Sequence, residues 1–189
     1  MNRRREKLIN AIIYFVQNTN NCGLTKLMKL LNKFEFQIFN QTGTPPIGLK
    51  YYAWERGPVA KDLWEDIVDD RAQDISDTFS VAFRKTPDYD FYKINVRDGH
   101  EFNDFIFTPR ELRVMQEIAN ECCNKSAGEL TRESHQMGTP WERTVAEKGN
   151  KAEINYLYAL DNEALISEEE AINRLQDFIE VGKLFQIEA

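Results

Sequence analysis

The stretch from Leu24 to Ile67 passes through three hydrophobic periods in one uninterrupted span, which restricts it to helix, strand, helix. In its first half Leu27, Leu31, Phe34 and Ile38 recur at steps of three and four, with Lys26, Lys29 and Lys33 between them. That spacing predicts a helix with one apolar and one charged face. Gly43 supplies the residue most willing to take a left-handed C′ conformation, and Pro45-Pro46 cannot continue a helix. From Ile47 the pattern alternates, with Ile47, Leu49, Tyr51 and Ala53 on one side and Gly48, Lys50, Tyr52 and Trp54 on the other, so a strand over Ile47 to Ala53 is predicted. Gly57 ends it. Pro58 suits the first turn of a third helix carrying Val59, Leu63 and Ile67.

The rest of the chain divides into similar pieces. Arg4 to Thr19 reads as a helix with an apolar stripe of Leu8, Ile9, Ile12, Ile13, Phe15 and Val16, and Arg71 to Asp77 as a loop. Thr78 to Arg97 reads as a hairpin turning at Thr86-Pro87-Asp88, expected to form a small antiparallel sheet with Ile47 to Ala53. Thr108-Pro109-Arg110-Glu111 has the form of a capping box opening a helix through Cys122, and Ser126 with Glu129 repeats the device. Thr139-Pro140-Trp141-Glu142 is a further start signal, with one more helix expected before Ile166. Ser167 with Glu170 opens a last helix expected to run to Gly182, burying Ile172, Leu175, Phe178 and Ile179. The fold class expected is mainly α (α+β), a single compact helical domain over 1–189, with a core over 5–145 and a C-terminal helix over about 167–182. Leu27, Leu31, Phe34, Leu63, Ile67, Leu112, Ile118 and Leu175 are the predicted core.

Composition narrows the function. Hydrophobic residues at 42% are too many for a disordered chain, and the longest apolar run, Leu8 to Val16, is broken by Asn10 and too short to span a bilayer. The N-terminus lacks a small-residue cleavage site, and three cysteines form neither a disulfide framework nor a zinc pattern, so a cytoplasmic protein is expected. Residues 1–64 carry 10 Lys and Arg against 4 Asp and Glu, the remainder 14 against 27, for a net charge of −7. A basic first third could touch nucleic acid, but an acidic remainder would repel phosphate.

No residue set converges on chemistry. Glu133, Ser134 and His135 are neighbours in sequence, and helical neighbours diverge by about 100 degrees, which argues against a Ser-His pair. His100, His135 and the cysteines show no metal-ligand spacing, so neither metal nor cofactor is expected. The aromatics read differently: Tyr52 and Trp54 share the second face of a strand close to Arg56, and with Trp64 they form the candidate partner-binding patch.

Thr25-Lys26-Leu27, Lys29-Leu30-Leu31, Thr42-Gly43, Ile47-Gly48-Leu49, Tyr51 and Gly57-Pro58-Val59, followed by His135 and then Trp141, resemble the pattern of the SocA-like antitoxin, or Panacea, domain. Asn32 stands where many members carry an aromatic. The resemblance implies a non-enzymatic protein of bacterial or prophage origin that binds and neutralises a toxin encoded nearby. In one branch the antitoxin delivers its toxin to a cytosolic AAA+ protease. Against it stand a nucleic-acid-binding regulator and a hydrolase built on His135.

Overall fold

The computed structural model describes residues 2–85 and 90–184. Helix α1 spans Arg3–Asn18, capped by the Asn2 side chain, which accepts from the Arg5 N–H. Helix α2, Leu24–Thr42, ends as its sequence dictates, on Gly43 at φ +69 with its N–H donating to Phe39 O. Around α2 pack α1, helix α5 (Pro109–Cys122), helix α6 (Ala127–Ser134) and strands of two hairpins. Leu27, Leu30, Leu31 and Phe34 have no accessible surface.

That central position overturns the charged face expected for α2. Lys26 and Lys29 are 1% and 2% exposed, and Glu35 is fully buried. A helix with neighbours on every side has no solvated face, so its polar residues must find partners inside.

The sheet differs from the one anticipated. Strand β1 is Tyr51–Trp54, shorter than Ile47 to Ala53, and it pairs with β2, Gly57–Ala60, in register Tyr51↔Ala60 to Trp54↔Gly57. Upstream of β1 the alternation holds for burial, since Ile47 and Leu49 are inside, but the Gly48 and Leu49 N–H groups donate to the Glu35 carboxylate in place of a strand. Pro58 therefore lies in a strand and does not open a helix; helix α3 begins at Lys61 and runs to Val68. Proline is tolerated there because β2 lies at a sheet edge. The other edge of β1 is covered by the 151–154 segment, through Lys151 N to Ala53 O at 2.7 Å and Ile154 N to Tyr51 O at 2.8 Å.

A short helix α4, Gln73–Thr78, replaces most of the loop expected over Arg71 to Asp77. Strands β3 (Phe79–Lys85) and β4 (Asp90–Val96) form a second, separate antiparallel pair. The expected turn at Thr86-Pro87-Asp88 lies outside the described residues. Both capping boxes, at Thr108/Glu111 and Ser126/Glu129, form with both reciprocal bonds. Helix α7 is Pro140–Lys148, and a 3₁₀ turn at Tyr156–Ala159 is the only further helical piece described before α8, Glu168–Leu184.

Helix α8 runs past Gly182, whose bare Cα is covered by the Arg4 guanidinium; a Cβ there would lie 2.7 Å from an Arg4 nitrogen. Its expected apolar face is only partly used: Ile172, Leu175 and Phe178 are half-buried and Ile179 is 44% exposed. Leu112 is likewise half-buried, so neither it nor Leu175 belongs to the core as predicted, whereas Leu63, Ile67 and Ile118 do. Leu112 packs on the margin of the core from α5, and Leu175 lies on α8, where the buried residues are Ala171 and Gly182.

Candidate functional site

The β1–β2 hairpin turns through Glu55-Arg56 and enters β2 at Gly57, with φ +94. This geometry is open to glycine and strained for other residues. It presents the Pro58 carbonyl to α2, where it accepts from Lys29 Nζ at 3.0 Å. A Cβ on Gly57 would lie 2.6 Å from Ser134 Oγ and 2.8 Å from Lys29 Cε, so hairpin, α2 and α6 meet at this residue. Thr131 Oγ1 of α6 donates to Arg56 O at 3.3 Å, and Trp141 Nε1 of α7 donates to Trp54 O at 2.9 Å. His135 stacks on Trp141 with ring centroids 3.7 Å apart and 14° between planes. Lys29, Gly57, Pro58, His135 and Trp141, spread over more than a hundred residues of sequence, thus converge around one hairpin.

Burial pushes the Lys29 amine down to about 7, and burial together with the Lys29 charge lowers His135. Gly57→Ala is expected to cost about 1–3 kcal/mol, from the positive φ and from displacement of Lys29 and Ser134. Denaturant unfolding of the variant checks it; an unchanged midpoint would show that the hairpin relaxes freely.

Beside Lys29 lies a cavity of ≈ 530 Å³ whose walls include Lys29, Asn32, Pro58, Ser134 and Trp141. Four further lining residues are charged and pair with one another as a closed ring. Lys33 Nζ lies 3.1 Å from Glu121 and 3.3 Å from Glu133, and Lys125 Nζ lies 2.7 Å from each. The ring is neutral in sum. Among the described residues Lys29 has no carboxylate within ion-pair distance, and Asn32 Nδ2 is buried without a hydrogen-bond partner. Ser134 Oγ donates to Thr131 O at 2.8 Å, and His135 Nε2 is buried with no partner among the described residues.

The remaining motif residues hold the scaffold. Lys26 Nζ donates to Asn20 O and Cys123 O, at 2.9 and 3.0 Å, tying the α1–α2 turn to the end of α5. Gly48, at φ +92, lies under the Phe178 ring, which a Cβ would meet at 2.6 Å. Tyr51 is fully buried, Leu27 is fully buried and Val59 is 4% exposed. Glu35, which the sequence reading did not single out, receives the Gly48 N–H at 3.0 Å, and burial pushes its carboxyl up to about 7. Its only signal in the sequence was an acid placed between Phe34 and Phe36 on an apolar helix.

The aromatic patch is partly as expected and extends further. Trp54 and Trp64 pack at 5.8 Å between centroids, Trp64 meets Tyr92 at 6.1 Å, and Tyr92 meets Phe83 at 5.1 Å. The first three rings are half-buried and Phe83 is 56% exposed. Tyr52, also half-buried, sits opposite Glu153 in a backbone bridge and has no ring contact with this run; Arg56 occupies the exposed turn. The second hairpin supplies Tyr92 and Phe83, which sequence reasoning missed because their strands were assigned to one sheet with β1.

Comparison with known families decides the affiliation. The profile of the antitoxin SocA-like, Panacea domain matches residues 27–142, more than half of the chain. This chain belongs to the SocA-like Panacea-domain family. The matched Panacea segment contains the Lys29 cluster, both hairpins and the aromatic run, and stops short of α8. No curated protein and no solved structure matches the chain. Among the described residues of this Panacea protein no helix is long and apolar enough to cross a membrane. No group of three His, Cys, Asp or Glu among them is placed to hold a metal ion.

Proposed function

We propose that this Panacea-domain protein neutralises a partner toxin by stoichiometric binding, and that the run Trp54–Trp64–Tyr92–Phe83 is the centre of the surface it uses. The carrying observation is that run of four rings, which joins two otherwise separate hairpins and ends on an exposed phenylalanine. Rigid aromatic side chains at the centre of an interface commonly carry most of its binding energy. The toxin is encoded nearby and the encounter takes place in the cytoplasm, where the free cysteines Cys22, Cys122 and Cys123 stay reduced. Capture is also the first step that delivery to an AAA+ protease would require.

The rival readings have less support. Lys26 and Lys29 are buried and cannot reach a phosphate backbone, which removes two charges from the basic first third. A hydrolase built on His135 would need a nucleophile in hydrogen-bond reach, whereas the Ser134 hydroxyl is spent on Thr131 O and the imidazole lies flat on Trp141.

Co-expression with the neighbouring toxin gene tests the proposal. Phe83→Ala and Trp64→Ala are each expected to weaken the complex by about 2 kcal/mol or more, close to 30-fold, and to lose protection in a growth assay. Phe83→Ala should leave melting nearly unchanged because the ring is more than half exposed. Full protection by folded versions of both variants would remove this face from consideration.

A further inference from the structure

We propose that the cavity beside Lys29 is a binding site for a single carboxylate, held by Lys29 Nζ and Asn32 Nδ2. The argument is one of charge and donor matching. The ring of Lys33, Glu121, Lys125 and Glu133 is internally balanced, each cation bridging both acids, so it offers no spare positive charge. Lys29 is different: its ammonium carries three donors, one is used on Pro58 O at 3.0 Å, and no acid among the described residues neutralises it. Asn32, one helical turn further along α2, contributes an N–H donor that finds no acceptor among the described residues. Both side chains line the same cavity.

A buried cation and a buried amide donor on one wall are both satisfied by one acceptor of unit negative charge. A dianion such as a phosphate monoester fits less well, because only one cation is uncompensated and Glu121 and Glu133 lie on the same lining. At ≈ 530 Å³ the space admits a side chain with its flanking backbone, or a small free acid. Pro58 lines the cavity beside Lys29, and Trp141, also in the lining, donates to Trp54 O and so links the cavity to the aromatic face. The site therefore adjoins the surface proposed for toxin capture. Whether a toxin Asp or Glu is the occupant depends on that reading; the carboxylate chemistry does not.

Protonation couples to occupancy. Lys29, held down to about 7 by burial, must be charged to bind a carboxylate, so binding draws in a proton above neutrality. Facing groups that titrate or carry charge are Lys33 on α2, Glu121 at the end of α5, Lys125 in the turn between α5 and α6, and Glu133 and His135 at the end of α6.

The test uses the full chain labelled at lysine Cε, with N-acetyl-glutamate α-amide as the acid probe and N-acetyl-glutamine α-amide as its neutral counterpart. The acid is expected to shift the Lys29 resonance and raise its titration midpoint, and the neutral amide to do neither. Lys29→Met and Asn32→Leu are each expected to weaken the acid-induced shifts of the Ser134 and Gln136 amides by about tenfold or more. Equal responses to acid and amide, or no response to the acid up to its solubility limit, would overturn the proposal. So would undiminished binding in a folded Lys29→Met protein.

A second arm separates the sources. In the purified toxin complex, replacing each toxin acid in turn and combining it with Lys29→Met should reveal one pair whose effects do not add, if a toxin side chain is the occupant. Strictly additive effects throughout assign the site to a free acid. Failure to obtain any toxin complex would refute the capture reading while leaving the probe result standing.

Discussion

Lys29→Met is expected to remove a rise in stability, on the order of 4 kcal/mol, that the native protein gains between about pH 7 and pH 10. Burial is the cause: the folded chain holds the amine down to about 7, whereas a lysine in the unfolded chain titrates near 10.5. Between those values the unfolded state binds a proton that the folded state does not, so stability rises with pH by about 1.4 kcal/mol per unit. The contribution is fully present above the unfolded value and is lost as pH falls through the folded one. Methionine fills similar volume without an ionisable group. It also forfeits the bond to Pro58 O, but that loss is the same at every pH and drops out of the slope. Urea unfolding of both proteins at each pH unit from 6 to 10 gives the difference curve. A flat difference would mean that Lys29 reaches water and titrates as an exposed lysine.

The same lysine shows where sequence reasoning stopped. Periodicity located α2 and its Gly43 stop, and the two capping boxes located α5 and α6, because those signals are local and act through the backbone of a few residues. Placing Lys26 and Lys29 on a charged face assumed that α2 lies at a surface. Only the packing of α1, α5, α6 and both hairpins around it makes it interior, and that is a property of the whole chain. The strand Ile47 to Ala53 had the right faces and the wrong bonds. Its first half is held by the Glu35 carboxylate from 13 residues upstream, a partner that a period of two cannot announce. Pro58 was read as a helix start because proline marks both N1 positions and edge strands; the two-residue turn at Glu55-Arg56 decides between them only once the pairing of Trp54 with Gly57 is known.

For the site, Lys29, Gly57, Pro58, His135 and Trp141 were legible as a set from their resemblance to one family, yet their convergence was not. The Lys29–Pro58, Gly57–Ser134 and His135–Trp141 contacts supply it. The aromatic patch was half found. Trp54 closes β1 and Trp64 follows ten residues later on α3, whereas Tyr92 and Phe83 arrive from a second hairpin whose position depends on α1 and α2.

Glu35→Gln should remove an opposite limb on the acid side. Burial pushes the Glu35 carboxyl up to about 7 from an ordinary value near 4.5, even though the Leu49 and Gly48 N–H groups pull the other way. Between those values the folded state holds a proton that the unfolded state has released. Stability therefore falls as pH rises, by on the order of 3 kcal/mol in all, and the contribution is complete only below the unfolded value. Glutamine keeps a carbonyl oxygen to accept from Gly48 and Leu49, and its amide can donate to the Tyr156 hydroxyl, which pairs with the Glu35 side chain and itself donates to Leu49 O at 2.8 Å. The variant should accordingly fold and lack the decline between about pH 4.5 and 7, so that the difference from the native protein reverses the trend seen with Lys29→Met. These two groups alone would place a stability minimum near neutrality, where the buried acid and the buried amine are each partly ionised. Each variant removes one side of that minimum. Parallel curves for Glu35→Gln and the native protein across the acid range would show that the N–H donors of Gly48 and Leu49 compensate the carboxylate fully, and that burying it costs the fold nothing.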